Sequence, residues 1–462
     1  MSTRFMSYSA HARAVLVLGL PLIGGHLGQV AIGVTDTVML GWYGVDELAA
    51  QTMAGSWFFV LFLMGSGFAW AVMPMVASYH AEGDEVNLRR ATRMGLWLSL
   101  GFAALSMPLM IWSEPILLAL GQTEQVARDG AAYLMIAGWG IIPALIIMTF
   151  KSYLAALERT QIVLWITLVG ALANALANYA FIFGNWGAPE MGIAGAAVAS
   201  LVTQGVMLVG IVGYAVVILP EHGILNRLWR PDWEMLGRVF RLGWPIGLTN
   251  LSEVGLFAAS AMMMGWLGTI PLAAHGIALQ LASITFMVHL GLSNVATIRA
   301  GNAYGHGDLA HMVRGARMVI AMSLAMALMT IVLFVVVPEP LIALFMKSDE
   351  PAKAQILAIG VALMALAALF QLVDGAQVVA LGLLRGVQDT KVPMILAGVS
   401  YWLVGMPASY VLGFVLGWEG VGIWLGLVLG LACAGVALMY RFWQVSLPRL
   451  ERTSGTDAVS VP

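Results

Sequence analysis

Residues 241–268 read RLGWPIGLTNLSEVGLFAASAMMMGWLG, and this stretch decides the class of fold. Between Arg241 and Gly268 the only ionisable side chain is that of Glu253. The segment can cross a bilayer as a helix, because ~20 residues rising ~1.5 Å each span a hydrocarbon core of ~30 Å. A carboxylate near the middle of such a helix costs roughly 2.5–3.5 kcal/mol on insertion scales. Glu253 is therefore a candidate transport-site residue.

The composition of the whole chain agrees with this interpretation. Of the 462 residues, 60% are hydrophobic and only 10% are charged, against ~25% charged in soluble domains. The apolar runs of ~20 residues predict helices, since a membrane barrel shows alternating segments of ~10 residues. The sequence therefore predicts an all-α integral membrane protein that contacts the lipid bilayer. The net charge of −2 gives no indication of a nucleic-acid partner. Cys433 is the only cysteine, which excludes a disulfide within the chain.

Hydropathy, with charged or turn-rich gaps as boundaries, predicts twelve transmembrane helices. They cover residues 14–39, 52–76, 93–113, 131–150, 161–183, 193–218, 241–264, 275–298, 316–337, 354–383, 392–415 and 421–443.

The positions of the basic residues predict the orientation of these spans. Cytoplasmic loops of membrane proteins carry an excess of Lys and Arg. With the N-terminus placed inside, all but three of the 22 basic residues fall at cytoplasmic segments. The exceptions are Arg128, Lys347 and Lys353. We therefore expect both termini in the cytoplasm and a multi-pass protein of the cell inner membrane.

An internal repeat predicts the domain organisation. Sliding the chain by 224 positions aligns residues 19–94 with residues 243–318 without a gap. The identical pairs include Gly19/Gly243, Pro21/Pro245, Trp42/Trp266, Gly67/Gly291, Gly83/Gly307, Asp84/Asp308 and Arg90/Arg314. A repeat of six spans gives both halves the same orientation, so a pseudo-two-fold axis along the membrane normal should relate them, with a site between the lobes. The predicted parts are a lobe at 1–218, a cytoplasmic linker at 219–240, a lobe at 241–445 and a cytoplasmic tail at 446–462.

The repeat also places polar side chains on equivalent helix faces. Residues seven apart share a face, so each lobe carries one polar stripe. In the first span the stripe is His26, Gln29 and Asp36, and in the seventh it is Asn250, Glu253 and Ser260. The acid lies about two turns, roughly 10 Å, further along its helix in the first lobe than in the second. Because Asp36 lies near the outer end of its span, an interfacial and solvated acid is the alternative there.

Two further spans contribute candidate polar residues. Gln371, Asp374 and Gln377 share one face of the tenth span. Asp374 and Glu253 could form an oxygen-ligand site for a hard monovalent cation such as Na⁺, or could carry a proton; pairing of Asp374 with Arg385 is the alternative. In the fifth span, Asn174 and Asn178 can share a face, where a packing role and a coupling role both remain open.

The sequence lacks the motifs of several enzyme classes. No Walker lysine motif, His/Glu metal spacing or nucleophile elbow is present. We therefore expect neither catalysis nor a cofactor, and we expect an ion gradient as the energy source.

With these residues in view, four stretches resemble the multidrug and toxic compound extrusion (MATE) family, in its NorM-like branch. They are GLPLIGGHLGQVAIGVTDTVMLGWYG (19–44), NYAFIFGNWGAPEMGIAGAA (178–197), PIGLTNLSEVG (245–255) and LLRGVQDTKVP (383–393). The similarity runs from about residue 14 to residue 443.

The resemblance implies a V-shaped pair of six-helix lobes that export cationic or amphipathic drugs in exchange for Na⁺ or H⁺. The family's acids of the first, seventh and tenth spans fall on Asp36, Glu253 and Asp374, and its fifth-span Asn falls on Asn174. In the DinF-like branch an Asp stands where this chain has Asn178. That departure favours the second-lobe acids as the main cation site. We expect small organic cations as substrates and a monomer as the working unit.

Other transporter and membrane-protein classes fit less well. A flippase for lipid-linked precursors belongs to the same superfamily, but such relatives usually have extra spans and a more basic central cavity. A receptor or structural protein would not need three intramembrane acids or a duplicated six-helix unit. A major-facilitator transporter shares the twelve-span plan, but its basic loop after the second span has no clear match here.

Overall fold

The structure is a computed structural model that describes residues 6–346 and 351–457. Within these residues the chain is helical and contains no strand. In the described part of the chain, twelve helices are long and apolar enough to cross a membrane, so the predicted all-α membrane fold is confirmed. These are α1 Tyr8–Tyr43, α2 Asp46–Glu82, α3 Glu85–Ile111, α4 Glu124–Ala156, α5 Thr160–Phe183, α6 Ile193–Ile218, α7 Trp233–Leu267, α8 Thr269–His306, α9 Leu309–Val336, α10 Lys353–Gly386, α11 Lys391–Val415 and α12 Glu419–Arg452.

Several helices extend well beyond the apolar segments that predicted them. The prediction 241–264 becomes Trp233–Leu267, and the prediction 275–298 becomes Thr269–His306. Hydropathy detects only the residues that suit hydrocarbon, whereas a helix can continue into the aqueous interface with polar residues in its last turns. The positions of Arg4 and Lys347, which entered the topology prediction, lie outside the described residues.

The chain packs as two compact units whose boundaries lie inside helices. One unit comprises Met1–Gly19 and Leu248–Pro462, and the other comprises Leu20–Gly247. The chain therefore passes from one unit to the other within α1 and again within α7. The lobe boundaries predicted from the repeat, at 218/219 and 240/241, remain a prediction.

The two halves of the repeat share the same turn between their second and third helices. Gly83 and Gly307 adopt φ values of 72° and 63°, in the left-handed region that favours glycine. The next residue caps the following helix in both cases: the Asp84 carboxylate accepts from the Asn87 amide, and the Asp308 carboxylate accepts from the His311 amide. The Gly-Asp pair that the sequence repeats is therefore a helix stop followed by a helix start.

In the unit Leu20–Gly247, α2 and α7 approach closely at Gly67. A Cβ atom at Gly67 would lie 2.4 Å from both the Gly243 carbonyl oxygen and the Gly247 amide nitrogen. Small residues allow this approach between membrane helices, where packing replaces the hydrophobic effect as the source of association.

We expect Gly67→Ala to destabilise the protein, because backbone atoms cannot move aside as a flexible side chain can. The free energy of unfolding should fall by about 1–3 kcal/mol, as for overpacked cores. Thermal unfolding of the purified protein in one detergent measures the change. Gly101→Ala in α3 is the matched control, since a Cβ there meets nothing within 4 Å. Equal stability of Gly67→Ala and Gly101→Ala would contradict the close approach of the two helices.

Candidate cation-coupling site

A single glutamine side chain joins the two acids of the second repeat. The Gln377 Nε2 atom donates to Glu253 Oε1 at 2.7 Å and lies 3.4 Å from Asp374 Oδ1. Glu253 comes from α7, whereas Asp374 and Gln377 lie one turn apart on α10. Gln377 is fully buried and Asp374 is 2% exposed. Two carboxylates thus face one amide group, with Asp374 buried and Glu253 partly exposed.

Tyr401 fixes the orientation of that amide. Its hydroxyl donates to Gln377 Oε1 at 2.6 Å, so the amide oxygen points to Tyr401 and the nitrogen points to the acids. Tyr401 is fully buried in a π-helical stretch of α11, Ser400–Gly405. Such stretches occur frequently at functional sites. Tyr401 was not predicted as a site residue from the sequence, because nothing in the hydropathy of α11 indicates a π-helical segment.

Close packing of α10 on α8 sets the position of Asp374. A Cβ at the adjacent Gly375 would lie 2.7 Å from the His289 ring, so only glycine fits there without a shift. Further along the same interface, the Ser293 hydroxyl donates to the Val378 carbonyl oxygen at 2.6 Å. Interhelical hydrogen bonds from small polar side chains are common between membrane helices. Asp374 is thus held by a packed scaffold.

Arg385 and Asn250 lie beside this pair of acids. Arg385 Nη2 donates to Asn250 Oδ1 at 2.9 Å, and the guanidinium also acts electrostatically on Glu253. Asn250 precedes Glu253 by about one helical turn on α7. The sequence left open a pairing of Arg385 with Asp374; in the structure Arg385 bonds to Asn250 and acts electrostatically on Glu253.

The first repeat builds a second cluster around Asp36. The Asp36 Oδ1 atom accepts from Asn174 Nδ2 at 2.8 Å and from Asn178 Nδ2 at 2.6 Å. Both asparagines are fully buried on α5, whereas Asp36 is partly exposed. Asn178 Oδ1 is buried with no hydrogen-bond partner. This cluster therefore has a carboxylate and an unpaired amide oxygen, the atom types that hard cations prefer.

The clusters use equivalent helices of the two halves. Asp36 and its asparagines lie on α1 and α5, the first and fifth helices of the first half. Glu253 and Tyr401 lie on α7 and α11, the first and fifth helices of the second half. Only the second cluster adds an acid from α10. The repeat thus supplies a common scaffold, and the charges on it differ.

The remaining predicted candidates lie in different surroundings. Gln29 is exposed and His26 is partly buried on α1. The Ser260 hydroxyl donates to the Phe257 carbonyl oxygen of its own helix at 2.7 Å. Gln371 donates to the Ala282 carbonyl oxygen at 2.9 Å, which links α10 to α8. The Gln371 contact is that of a helix-packing residue.

The donor set fits a monovalent cation or a proton better than a multivalent metal. Among the described residues, no group of three or more His, Cys, Asp and Glu side chains could hold a metal ion. The two carboxylates supply oxygen ligands and negative charge, whereas Gln377 presents its amide nitrogen to them. Either Na⁺ or H⁺ would relieve the repulsion between the two acids.

Comparison with known proteins identifies the family. A family model described as MatE matches residues 21–180 and 245–411. The chain belongs to the MatE family. The resemblance predicted from the sequence is confirmed, and the family match covers Asp36, Glu253 and Asp374.

The relatives of this MatE protein match over nearly its full length. The probable multidrug resistance protein NorM of Rhizobium meliloti (strain 1021) is 45% identical over 460 residues, which cover 98% of this chain and 97% of that protein. The protein of the same name from Agrobacterium fabrum (strain C58 / ATCC 33970) is 44% identical, with 94% of each chain covered. The crystal structure of the eukaryotic MATE transporter AtDTX14 shares the fold, with a TM-score of 0.85 at 17% identity, covering 96% of this chain and 98% of that one.

Proposed function

We propose that this protein is a secondary active multidrug exporter, an antiporter that exchanges Na⁺ or H⁺ for cationic or amphipathic organic compounds. The observation that carries the proposal is the amide of Gln377, which faces Glu253 and Asp374 together. Intramembrane acids are costly and mark ion or substrate pathways. Family membership and the names of the NorM relatives support export as the direction of transport.

In this proposal Glu253 and Asp374 form the main site for the coupling ion. A proton or Na⁺ held there neutralises part of their charge, and a cationic drug is then attracted less strongly to the same field. The partners of the two acids favour this role: Gln377 is oriented by Tyr401 and can donate to either carboxylate. Asp36, with Asn174 and Asn178, is the second ion-responsive cluster of the proposal.

The proposal places the protein in the cell inner membrane as a monomer, with both termini in the cytoplasm. The distribution of basic residues supports this orientation, since it follows the excess of Lys and Arg in cytoplasmic loops. The protein would need no cofactor, because the ion gradient supplies the energy.

The test is ethidium efflux from membrane vesicles with Na⁺ and pH gradients imposed separately. We expect at least one gradient to drive efflux, because the acid pair can bind either ion. Vesicles from cells without the protein are the control. Efflux that neither gradient drives would contradict cation-coupled export.

A lipid-linked-precursor flippase remains the second candidate function, since it belongs to the same superfamily. The charged clusters described above favour the exporter, because both have acids at their centre and would attract cations. Flipping of a fluorescent polyprenyl-phosphate lipid in vesicles, without ethidium efflux, would favour the flippase.

A further inference from the structure

The linker between α6 and α7 runs alongside α3, and three side chains of α3 donate hydrogen bonds to its backbone. Arg89 donates to the His222 carbonyl oxygen, Arg93 donates to that of Ile224 at 2.8 Å, and Trp97 Nε1 donates to that of Leu228 at 2.7 Å. The three donors are four residues apart, so they form one face of α3 and are spread over ~12 Å of its length.

The linker then returns to the end of α3 at which it started. Asp232 is bonded to Arg90, with Nη2–Oδ1 at 3.1 Å, close to the level of Arg89. The pKa of Asp232 is lowered, first by this hydrogen bond from Arg90. Residues 225–231 are therefore the tip of a loop that extends along α3 in the direction of its C-terminal end. The backbone of Arg227, with φ of 55°, lies in the left-handed region that is unusual for arginine, which indicates that the loop conformation is specified.

The depth of the tip follows from its partner on α3. Apolar sequence in the third span begins near residue 93, so Trp97 lies about one helical turn inside the predicted hydrocarbon boundary. A linker that is bonded to Trp97 therefore reaches the level of this predicted boundary, where headgroups meet acyl chains. The sequence predicts a cytoplasmic linker at 219–240. The hydropathy of these residues does not indicate a loop that runs alongside α3.

The exposed side chains of the tip suit that environment. Trp229 is 77% exposed on the protein, and Arg227 and Arg230 are also exposed. Tryptophan is enriched at the membrane interface, where its ring is apolar and its N–H can bond to headgroups. Basic residues beside membrane helices attract anionic phospholipids of the cytoplasmic leaflet.

We propose that residues 225–231 form an interfacial loop that binds the phosphate groups of anionic phospholipids, with Trp229 at headgroup depth and Arg227 and Arg230 as the cationic contacts. The partner is a lipid surface, so the proposal concerns a different part of the chain from the acid clusters and is independent of the transported compound.

Position-specific labelling measures the depth of the loop in the full chain. After Cys433→Ala, a fluorescent label is attached at Trp229→Cys or Leu225→Cys in nanodiscs that contain phosphatidylglycerol and phosphatidylcholine. Glu85→Cys is the matched control, because Glu85 is the first residue of α3, the helix that the loop contacts. We expect a lipid nitroxide at headgroup depth to quench both loop labels and aqueous iodide to quench the label at position 85. Iodide quenching of both loop labels equal to that at 85 would overturn the proposal.

Lipid retention tests the charge preference. Native mass spectrometry should detect phosphatidylglycerol retained on the wild-type protein in preference to phosphatidylcholine. Arg227→Gln with Arg230→Gln should lower this retention by ~30-fold, since each arginine near an anionic surface contributes about fivefold. Arg128→Gln, an exposed arginine near the start of α4, should leave it unchanged. Equal retention by the double variant and the wild type would show that these arginines do not bind the lipid.

Discussion

Replacing Glu253 by Gln or Asp374 by Asn is expected to reduce gradient-driven ethidium export to the level of vesicles that lack the protein. Each replacement keeps the shape of the side chain and an oxygen that can accept from Gln377 Nε2. Each also removes one of the two negative charges of the site. The remaining acid alone would bind the coupling ion more weakly, because the repulsion that the ion relieves is gone.

Ser260→Ala is the matched control for this pair of variants. Ser260 lies on the same helix as Glu253, but its hydroxyl donates to the Phe257 carbonyl oxygen of that helix. We expect its export rate to be close to that of the wild type. Expression and thermal stability of all three variants are compared in parallel, so that a folding defect is separated from a transport defect. Export at the wild-type rate by either acid variant would remove that acid from the mechanism.

Asp36→Asn should also impair export strongly, although the first-lobe cluster has one acid rather than two. An asparagine at 36 can still accept from Asn174 and Asn178 through its amide oxygen, so the packing of α1 on α5 is preserved. What it loses is the charge that an ion would neutralise. We expect a fall of about tenfold or more in the initial rate of export, equivalent to ~1.4 kcal/mol or more in the transport barrier.

Thr37→Ala is the control for Asp36→Asn. Thr37 is the next residue of α1, is exposed, and bonds to the Gly33 carbonyl oxygen of its own helix. Its removal should leave export unchanged. An Asp36→Asn variant that exports like Thr37→Ala would favour the alternative of a solvated interfacial acid at position 36.

The membrane fold could be predicted from the sequence, because long apolar segments and repeated residues are visible there directly. A run of about twenty apolar residues favours a membrane-spanning helix. Identical residues such as Trp42 and Trp266, at the same 224-position shift as the other pairs, make a chance repeat implausible. The helix ends were less predictable, since polar turns such as those before Arg241 extend a helix without raising its hydropathy.

The charged residues of the site could be predicted from the sequence, but their hydrogen-bond partners could not. Glu253 and Asp374 stand out because a carboxylate in an apolar segment is costly. Their shared contact depends on how α7, α10 and α11 pack, and three-residue spacing on α10 gives no distance to another helix. Tyr401 is one of several aromatic residues in apolar segments, so its bond to Gln377 could be found only from the fold.

The most direct test of cation coupling through the acid pair is the affinity of the purified protein for ethidium, measured at several Na⁺ concentrations and pH values. If the ion and the drug compete for the field of Glu253 and Asp374, saturating ion should weaken ethidium binding by ~5–150-fold, a coupling of about 1–3 kcal/mol. Ethidium must then weaken ion binding by the same factor, because binding linkage is reciprocal. The variant that combines Glu253→Gln with Asp374→Asn should lose this dependence. Wild-type affinity that stays constant across both Na⁺ and pH would contradict antiport through these acids.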